Sequence, residues 1–165
     1  MKTTLYWKKE LFTGTCKIYS EDNLVGYLNE KSWSQYAEAE LNGEKFIFKT
    51  KGFFNRETQI YKIENETPVG KITYNTWRRK ARIEYSGKVY SWSFINLFST
   101  KWIVQNDEGF LINYRSSCSK GSIESDHQNN LLTLTGIFIR NYYSQNSVAI
   151  VTSVFFLFCI VIFNV

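Results

Sequence analysis

The chain has little of several residue types that mark specialised classes of protein. Its 165 residues include one proline, nine glycines and one histidine. So few prolines and glycines exclude a collagen-like or low-complexity chain, because both classes are built on those residues. The single histidine, His127, cannot form a multi-histidine zinc site. Since Asp126 precedes it in a polar segment, we interpret His127 as a surface-loop residue.

Cysteine is also scarce. The chain has three, Cys16, Cys118 and Cys159, and they are too scattered for a CxxC pair. Because Cys159 lies in an apolar run, at most one disulfide can form, between Cys16 and Cys118. The amino terminus lacks the roughly seven consecutive apolar residues of a secretory signal. We therefore expect free thiols in a reducing compartment.

Motifs that carry common chemistry are missing. There is no glycine-rich phosphate loop, no GxSxG elbow and no HExxH pair. Two acidic residues, Glu38 and Glu40, alternate with Ala37 and Ala39, which places both carboxylates on the outer face of a strand. We expect a protein that is not an enzyme and that needs neither a metal nor a cofactor.

Aromatic residues and positive charge are what the chain has in plenty. Aromatics make up 18%, and 20 Lys and Arg against 15 Asp and Glu leave a net charge of +5. The aromatic share indicates a folded, β-rich domain. The positive excess suits an anionic membrane face, although it also fits an ordinary soluble domain. Nucleic acid is not an expected partner, because the aromatics alternate as core residues do.

An uncharged apolar run, Val148 to Val165, closes the sequence. As a helix it reaches roughly 27 Å, close to the thickness of the bilayer core. Basic residues precede the run and none follows it, which predicts a tail anchor with the domain on the cytosolic side. The alternative is a buried segment of a cytoplasmic protein. The side chains predicted to anchor the tail are Val148, Val154, Phe155, Phe156, Phe158, Ile160 and Ile162.

Turn residues divide the rest of the chain into about twelve short strands. Asn42-Gly43 and Ser86-Gly87, each flanked by alternating polar and apolar residues, predict two-residue hairpins. Because all connections are short, neighbouring strands should pair antiparallel. The strands are predicted to begin near Thr3, Gly14, Asn23, Tyr36, Glu44, Thr58, Pro68, Lys80, Lys88, Lys101, Gly109 and Ser119.

A repeat supports this division. Moving the chain by 44 positions superposes Val25-Gly26 on Val69-Gly70, Trp33 on Trp77 and Gly43 on Gly87. Four-strand units that cannot bury their own apolar face favour closure into a barrel, which also removes exposed strand edges. A two-sheet sandwich is the alternative.

A helix is predicted over Asn130 to Tyr143, where Leu131, Leu134 and Phe138 recur at helical spacing. Gly136 within it indicates close packing against a wall. The chain is thus expected to consist of a barrel with a central helix over residues 1–143 and a tail over residues 148–165. In the alternative, the tail itself fills the barrel.

The strand motifs LVGYLNEKSW and PVGKITYNTW, the paired hairpins and the terminal LLTLTGIFI resemble the tubby-like superfamily, which includes the tubby domain, the phospholipid scramblases and the LURP-one-related proteins. The resemblance covers roughly Thr3 to Tyr143. It implies a closed β-barrel around a hydrophobic helix, with phosphoinositides bound by basic side chains on the barrel surface. The further apolar run after the helix departs from the family pattern.

The most concentrated charge lies in Trp77-Arg78-Arg79-Lys80-Ala81-Arg82, with Lys49 and Lys51 in the equivalent part of the earlier repeat. Arginine offers forked donors to phosphate oxygens, so these cations predict a site for anionic lipid headgroups. The alternative is a solvated hairpin whose charges protect a strand edge.

Three functions are compatible with these features. The first is a non-enzymatic, membrane-attached barrel that binds lipid headgroups or a membrane partner. The second is a soluble interaction or scaffold module whose apolar tail is the buried central helix. The third, lipid scrambling, rests on the family resemblance alone.

Overall fold

A computed structural model of the chain describes residues 2–10, 13–30, 36–51, 57–65 and 67–145. These residues form twelve strands and a helix, α1, at residues 130–145. The strands are β1 (Thr3–Lys9), β2 (Thr15–Ser20), β3 (Asn23–Glu30), β4 (Tyr36–Leu41), β5 (Glu44–Lys51), β6 (Glu57–Lys62), β7 (Pro68–Asn75), β8 (Lys80–Tyr85), β9 (Lys88–Phe94), β10 (Lys101–Gln105), β11 (Leu111–Ser117) and β12 (Lys120–Ser125).

The strands close into an antiparallel barrel in the order β1-β12-β11-β10-β9-β8-β7-β6-β5-β4-β3-β2. Closure is made by β1 and β12, which pair from Thr3 opposite Ser125 to Lys8 opposite Lys120. The barrel that the strand pattern predicts is confirmed, and the sandwich alternative is wrong. Every strand therefore has two neighbours, so the barrel has no open edge.

Alternation along each strand separates the core from the outer wall. Ala81 and Ile83 of β8 face inward and are buried, whereas Lys80, Arg82 and Glu84 are exposed. The repeat is visible in the strand positions: β4 and β5 begin at residues 36 and 44, and β8 and β9 begin at residues 80 and 88, an offset of 44 in both cases. The repeated sequence pattern therefore corresponds to two strand pairs of the wall, β4–β5 and β8–β9.

Helix α1 occupies the interior of the barrel. Residues 131–139 are all buried, so the helix is enclosed on every face. The indole Nε1 atoms of Trp92 and Trp102 both donate to the carbonyl oxygen of Gly136, each at 3.0 Å. At its start, the Asn129 side chain accepts from the backbone N–H of Leu132 at 2.9 Å, as an N-cap does. The predicted central helix is confirmed.

The helix distinguishes the two ends of the barrel. It enters at residue 130 and leaves near Tyr143, whose hydroxyl donates to the carbonyls of Asn75 and Lys80 at 3.2 and 2.5 Å. We call this second end the exit end. It comprises the carboxyl ends of the odd-numbered strands and the amino ends of the even-numbered strands. The opposite end is the entry end.

The apolar run Val148 to Val165, with all of its predicted anchor residues, lies outside the described residues. Among helices built from described residues, none has the length and apolar character needed to cross a membrane. The tail anchor therefore stays a prediction. The last described residue of the chain, residue 145 of α1, lies at the exit end.

Candidate functional site

The exit end of the barrel is lined by lysines. Five strands have a lysine as their terminal residue there: Lys9, Lys51, Lys80, Lys101 and Lys120. The strand-terminal lysines of the entry end are neutralised, since Lys62 lies 3.2 Å from Glu44 and Lys88 is paired with Glu108. By contrast, Lys51, Lys80 and Lys101 make no ion pair with any residue that the structure describes. The exit end therefore carries uncompensated positive charge.

The entry end has the opposite charge. The described residues of its connections include no lysine or arginine. They do include six acidic residues: Glu21, Asp22, Glu64, Asp107, Glu108 and Asp126. The two ends of the barrel consequently set up an electric field along its axis.

Large apolar side chains project from the exit end. Trp77 in the β7–β8 connection is 99% exposed, and Leu97 and Phe98 in the β9–β10 connection are 97% and 87% exposed. The two connections are joined by Arg79, whose Nη1 donates to Ser99 Oγ at 3.0 Å. Side chains of this size are usually buried, so their nearly full exposure beside cations makes this end the candidate site.

The predicted headgroup residues Arg78, Arg79 and Lys80 lie together at this end. Asn75 Oδ1 accepts from the backbone N–H of Arg78 at 3.1 Å, which shapes the turn, while the guanidinium of Arg78 has no ion-pair partner among the described residues. Arg79 is held in place, because its guanidinium also stacks over Phe94 at 4.6 Å. Arg78 and Lys80 are thus the cations of this group that are available to a ligand.

The other predicted site residues are placed elsewhere. Arg82 projects from the side wall and is paired with Glu84 at 3.0 Å. The Nζ atom of Lys49 lies 4.8 Å from the centroid of the Tyr61 ring. Both Lys49 and Lys51 belong to β5, which is three strands from β8, so about 14 Å of wall separates the two strands. The structure therefore does not bring Lys49 and Lys51 together with Arg78. We define the exit-end surface as Trp77, Arg78, Lys80, Leu97, Phe98 and Lys101.

A buried polar group lies at the same end of the barrel, at the end of β3. Glu30 accepts from the Asn141 side chain of α1 at 2.7 Å. Burial raises the pKa of Glu30 to about 7, against the opposing effects of Lys9, Asn141 and Arg140. Burial also lowers the pKa of Arg140, whose guanidinium lies over the rings of Trp7 and Trp102 at 5.6 and 5.8 Å. These groups fasten the end of α1 to the wall.

The remaining chemistry-bearing residues are not assembled into a site. His127 is exposed and stacks on Phe110, with 5.6 Å between ring centroids, so its interpretation as a loop residue is confirmed. Cys16 and Cys118 are free, and burial raises the pKa of the Cys16 thiol to about 12. Within the described ranges, no three His, Cys, Asp or Glu side chains are grouped in a way that could hold a metal ion.

Sequence reasoning missed Leu97, Phe98 and Lys101. The sequence held a local signal for Leu97 and Phe98, because these two apolar residues fall between two alternating strands, where polar turn residues are usual. Comparison with known proteins adds no further residues, because no family model, no curated protein and no solved structure matches the chain.

Proposed function

We propose that the protein is a non-enzymatic β-barrel that docks on an anionic membrane through its exit-end surface. The observation that carries this proposal is the exposure of Trp77, Leu97 and Phe98 beside unpaired cations at the end where α1 leaves the barrel. Tryptophan is favoured at membrane interfaces, and each nearby cation contributes about 1 kcal/mol on an anionic surface. The anionic membrane repels the acidic entry end, and this repulsion also turns the exit end toward the bilayer.

The predicted tail supports the same orientation. Residues 148–165 follow within a few positions of residue 145, the last described residue of α1, which lies at the exit end. A membrane anchor that begins there holds the exit-end surface against the bilayer. The tubby-like resemblance, and the phosphoinositide binding that it implies, remain part of this proposal.

The test uses a chain that ends at Ser147, so that the tail does not dominate binding. The triple variant Arg78→Gln, Lys80→Gln, Lys101→Gln should bind vesicles of phosphatidylcholine and phosphatidylserine about a hundredfold more weakly than the unmodified truncated chain. Vesicle co-sedimentation measures this change, after near-ultraviolet circular dichroism has shown that the truncated chain is folded.

A matched control removes the same charge from elsewhere. Lys2, Lys45 and Lys88 are exposed, and each is paired with a carboxylate. Changing these three to Gln should leave vesicle binding within about threefold of the truncated chain, because already compensated charge adds little attraction. Equal losses in the two triple variants would reduce the effect to net charge and refute the exit-end surface.

The same truncated chain addresses the soluble-module alternative. That alternative places the tail inside the barrel as its central helix, so it predicts that a chain ending at Ser147 unfolds. Because α1 already buries residues 131–139 in the interior, we expect the truncated chain to keep its tertiary circular dichroism signal.

A further inference from the structure

A groove crosses the outer wall of the barrel on β11, β12, β1 and β2, away from Trp77, Arg78 and Lys80. Its volume is about 770 Å³, and the side chains that shape it include Tyr6, Lys8, Tyr19, Arg115 and Lys120. Strand β8, which carries Lys80, is separated from β12 by β9, β10 and β11. The groove is therefore separate from the β7–β8 hairpin, and it meets the exit-end surface only at Lys101 of β10, the register partner of Arg115.

Two lysines stand directly opposite each other in this groove. Lys8 of β1 is the register partner of Lys120 of β12, and on its other side it faces Lys17 of β2. Lys17 is neutralised by Glu10 at 2.6 Å. Lys8 and Lys120 form no ion pair within the part of the chain that the structure describes. Like charges on directly opposed positions destabilise a sheet, so this arrangement works against folding stability.

A third cation is adjacent. Arg115 of β11 faces Ser122 of β12, two positions along the strand from Lys120. Diagonal neighbours of this kind are about 7 Å apart, within reach of long side chains. Between the cations are the small residues Ser117 and Ser122, which leave the groove open. Three cations can therefore converge on one small anion.

Two tyrosines and two acidic residues line the rest of the groove. Tyr6 and Tyr19 face each other across β1 and β2 and provide flat apolar surface. Glu21 and Asp22 line the end beyond Tyr19, about 13 Å along β2 from Lys17. Their distance from the lysines leaves the cationic end free for an anion, while their carboxylates can accept hydrogen bonds from hydroxyl or amine groups of a ligand.

We propose that this groove binds a small phosphate-bearing molecule, with its phosphate held by Lys8, Lys120 and Arg115. Arginine presents a fork of donors that matches phosphate oxygens, and the two lysines supply point charges. A bound anion also removes the repulsion between Lys8 and Lys120, which explains why two unpaired lysines are opposed in a strand pair. The phosphate can come from a soluble molecule or from a lipid headgroup.

The test measures thermal unfolding of the full-length protein in neutral detergent micelles, with inorganic pyrophosphate as the first probe. Pyrophosphate should raise the melting temperature of the unmodified protein, since a ligand that binds the folded state stabilises it. The variant Lys8→Gln, Lys120→Gln should bind pyrophosphate at least about tenfold more weakly. Without pyrophosphate it should melt at the same temperature as the unmodified protein or higher, because the repulsion is gone.

Two control variants make the test specific. The pair Lys45→Gln, Lys62→Gln removes the same charge from ion-paired positions and should keep the pyrophosphate response. The variant Arg78→Gln, Lys80→Gln should keep it as well, because β8 and the β7–β8 connection are separated from β12 by three strands, and this result separates the groove from the proposed membrane surface. No pyrophosphate response, or an equal loss in all three variants, would overturn the proposal.

A second probe identifies the source of the phosphate. Short-chain phosphatidic acid, which carries a phosphate monoester on a lipid, is added to the same micelles. A response to phosphatidic acid alone that is lost in Lys8→Gln, Lys120→Gln supports a lipid headgroup, and a response to pyrophosphate alone supports a soluble ligand. A lower melting temperature of that variant without any probe would show that the two lysines stabilise the fold, which contradicts the proposal.

Discussion

Glu30 shows how one residue can make stability depend on pH. It is the last residue of β3 and is buried against Asn141 of α1. Four charged or titratable groups interact electrostatically with the Glu30 carboxyl: Lys9, Arg140, the Cys16 thiol and the Tyr74 hydroxyl. Sequence alone placed Glu30 on a strand with no sign of burial, because Asn141, its hydrogen-bond partner, is more than a hundred residues away.

Replacing Glu30 by Gln should stabilise the protein at alkaline pH. Because burial raises the Glu30 pKa from 4.5 to about 7, the folded state holds the proton more tightly than the unfolded state, and this stabilising contribution is lost as pH rises through that window. Glu30→Gln keeps an acceptor for Asn141 without a charge. We expect it to be more stable than the unmodified protein by roughly 3 kcal/mol at about pH 8 and equal to it below about pH 4.

Urea unfolding of the chain ending at Ser147, followed by tryptophan fluorescence at several pH values, measures this difference. The control is Glu64→Gln, which removes a carboxylate from an exposed position in the β6–β7 connection. If the two variants had the same pH profile, Glu30 would not be the group responsible.

Helix α1 is the element on which sequence and structure differ in an instructive way. The periodicity of Leu131, Leu134 and Phe138 correctly predicts a helix, and it implies a single buried face. The structure buries Thr133, Thr135 and Gly136 as well. Thr135 is accommodated because its hydroxyl donates to the carbonyl of Leu131 at 2.7 Å. Small and hydroxyl-bearing residues can thus line the second face of a helix that is enclosed by a barrel.

Gly136→Ala should destabilise the barrel even though alanine is the better helix former. A Cβ at this position would come within 2.3 Å of the Tyr114 side chain, which is buried and donates to the carbonyls of Leu132 and Thr133 at 3.1 and 3.2 Å. The overlap costs about 1–3 kcal/mol, which exceeds the gain of about 1 kcal/mol in helix propensity. We expect a net loss of up to about 2 kcal/mol in the free energy of unfolding, measured with urea.

A double-mutant cycle with Tyr114→Leu shows whether Tyr114 is the obstacle. Leucine lacks the end of the ring that the new Cβ would meet, so Gly136→Ala should cost less in the Tyr114→Leu background than in the unmodified protein. An unchanged cost in both backgrounds would be evidence against this packing.

At the scale of the whole molecule, the two ends of the barrel differ in charge and in apolar exposure. Trp77 and Phe98 project from the end that carries Lys80 and Lys101, and acidic connections occupy the other end. The sequence predicted the basic hairpin at Arg78 and Lys80. The predicted antiparallel order also places the β9–β10 connection at the same end, but only the structure shows that Leu97 and Phe98 in that connection are exposed.

Cys118 offers a direct measurement of orientation. It is exposed in the β11–β12 connection at the exit end, whereas Ser86 is exposed in the β8–β9 connection at the entry end. In a full-length chain carrying Cys159→Ser, a polarity-sensitive fluorophore on Cys118 should shift to the blue when vesicles containing phosphatidylserine are added.

The matched control moves the label to the other end of the barrel, with Cys118→Ser and Ser86→Cys in the same chain. Its emission should stay at the position seen in water, because the entry end faces away from the bilayer. Equal shifts for the two labels would contradict the proposed orientation.

The sequence by itself determined the strands, their hairpins and α1, because periods of two and of about 3.6 residues and turn residues such as Asn42-Gly43 are local properties of the chain. Tertiary structure decided which distant residues meet. Only the pairing of β1 with β12 sets Lys8 against Lys120, and only the path of α1 brings Asn141 to Glu30. The physical reason is that barrel closure joins the two ends of the strand array, and no local pattern encodes the contacts made there.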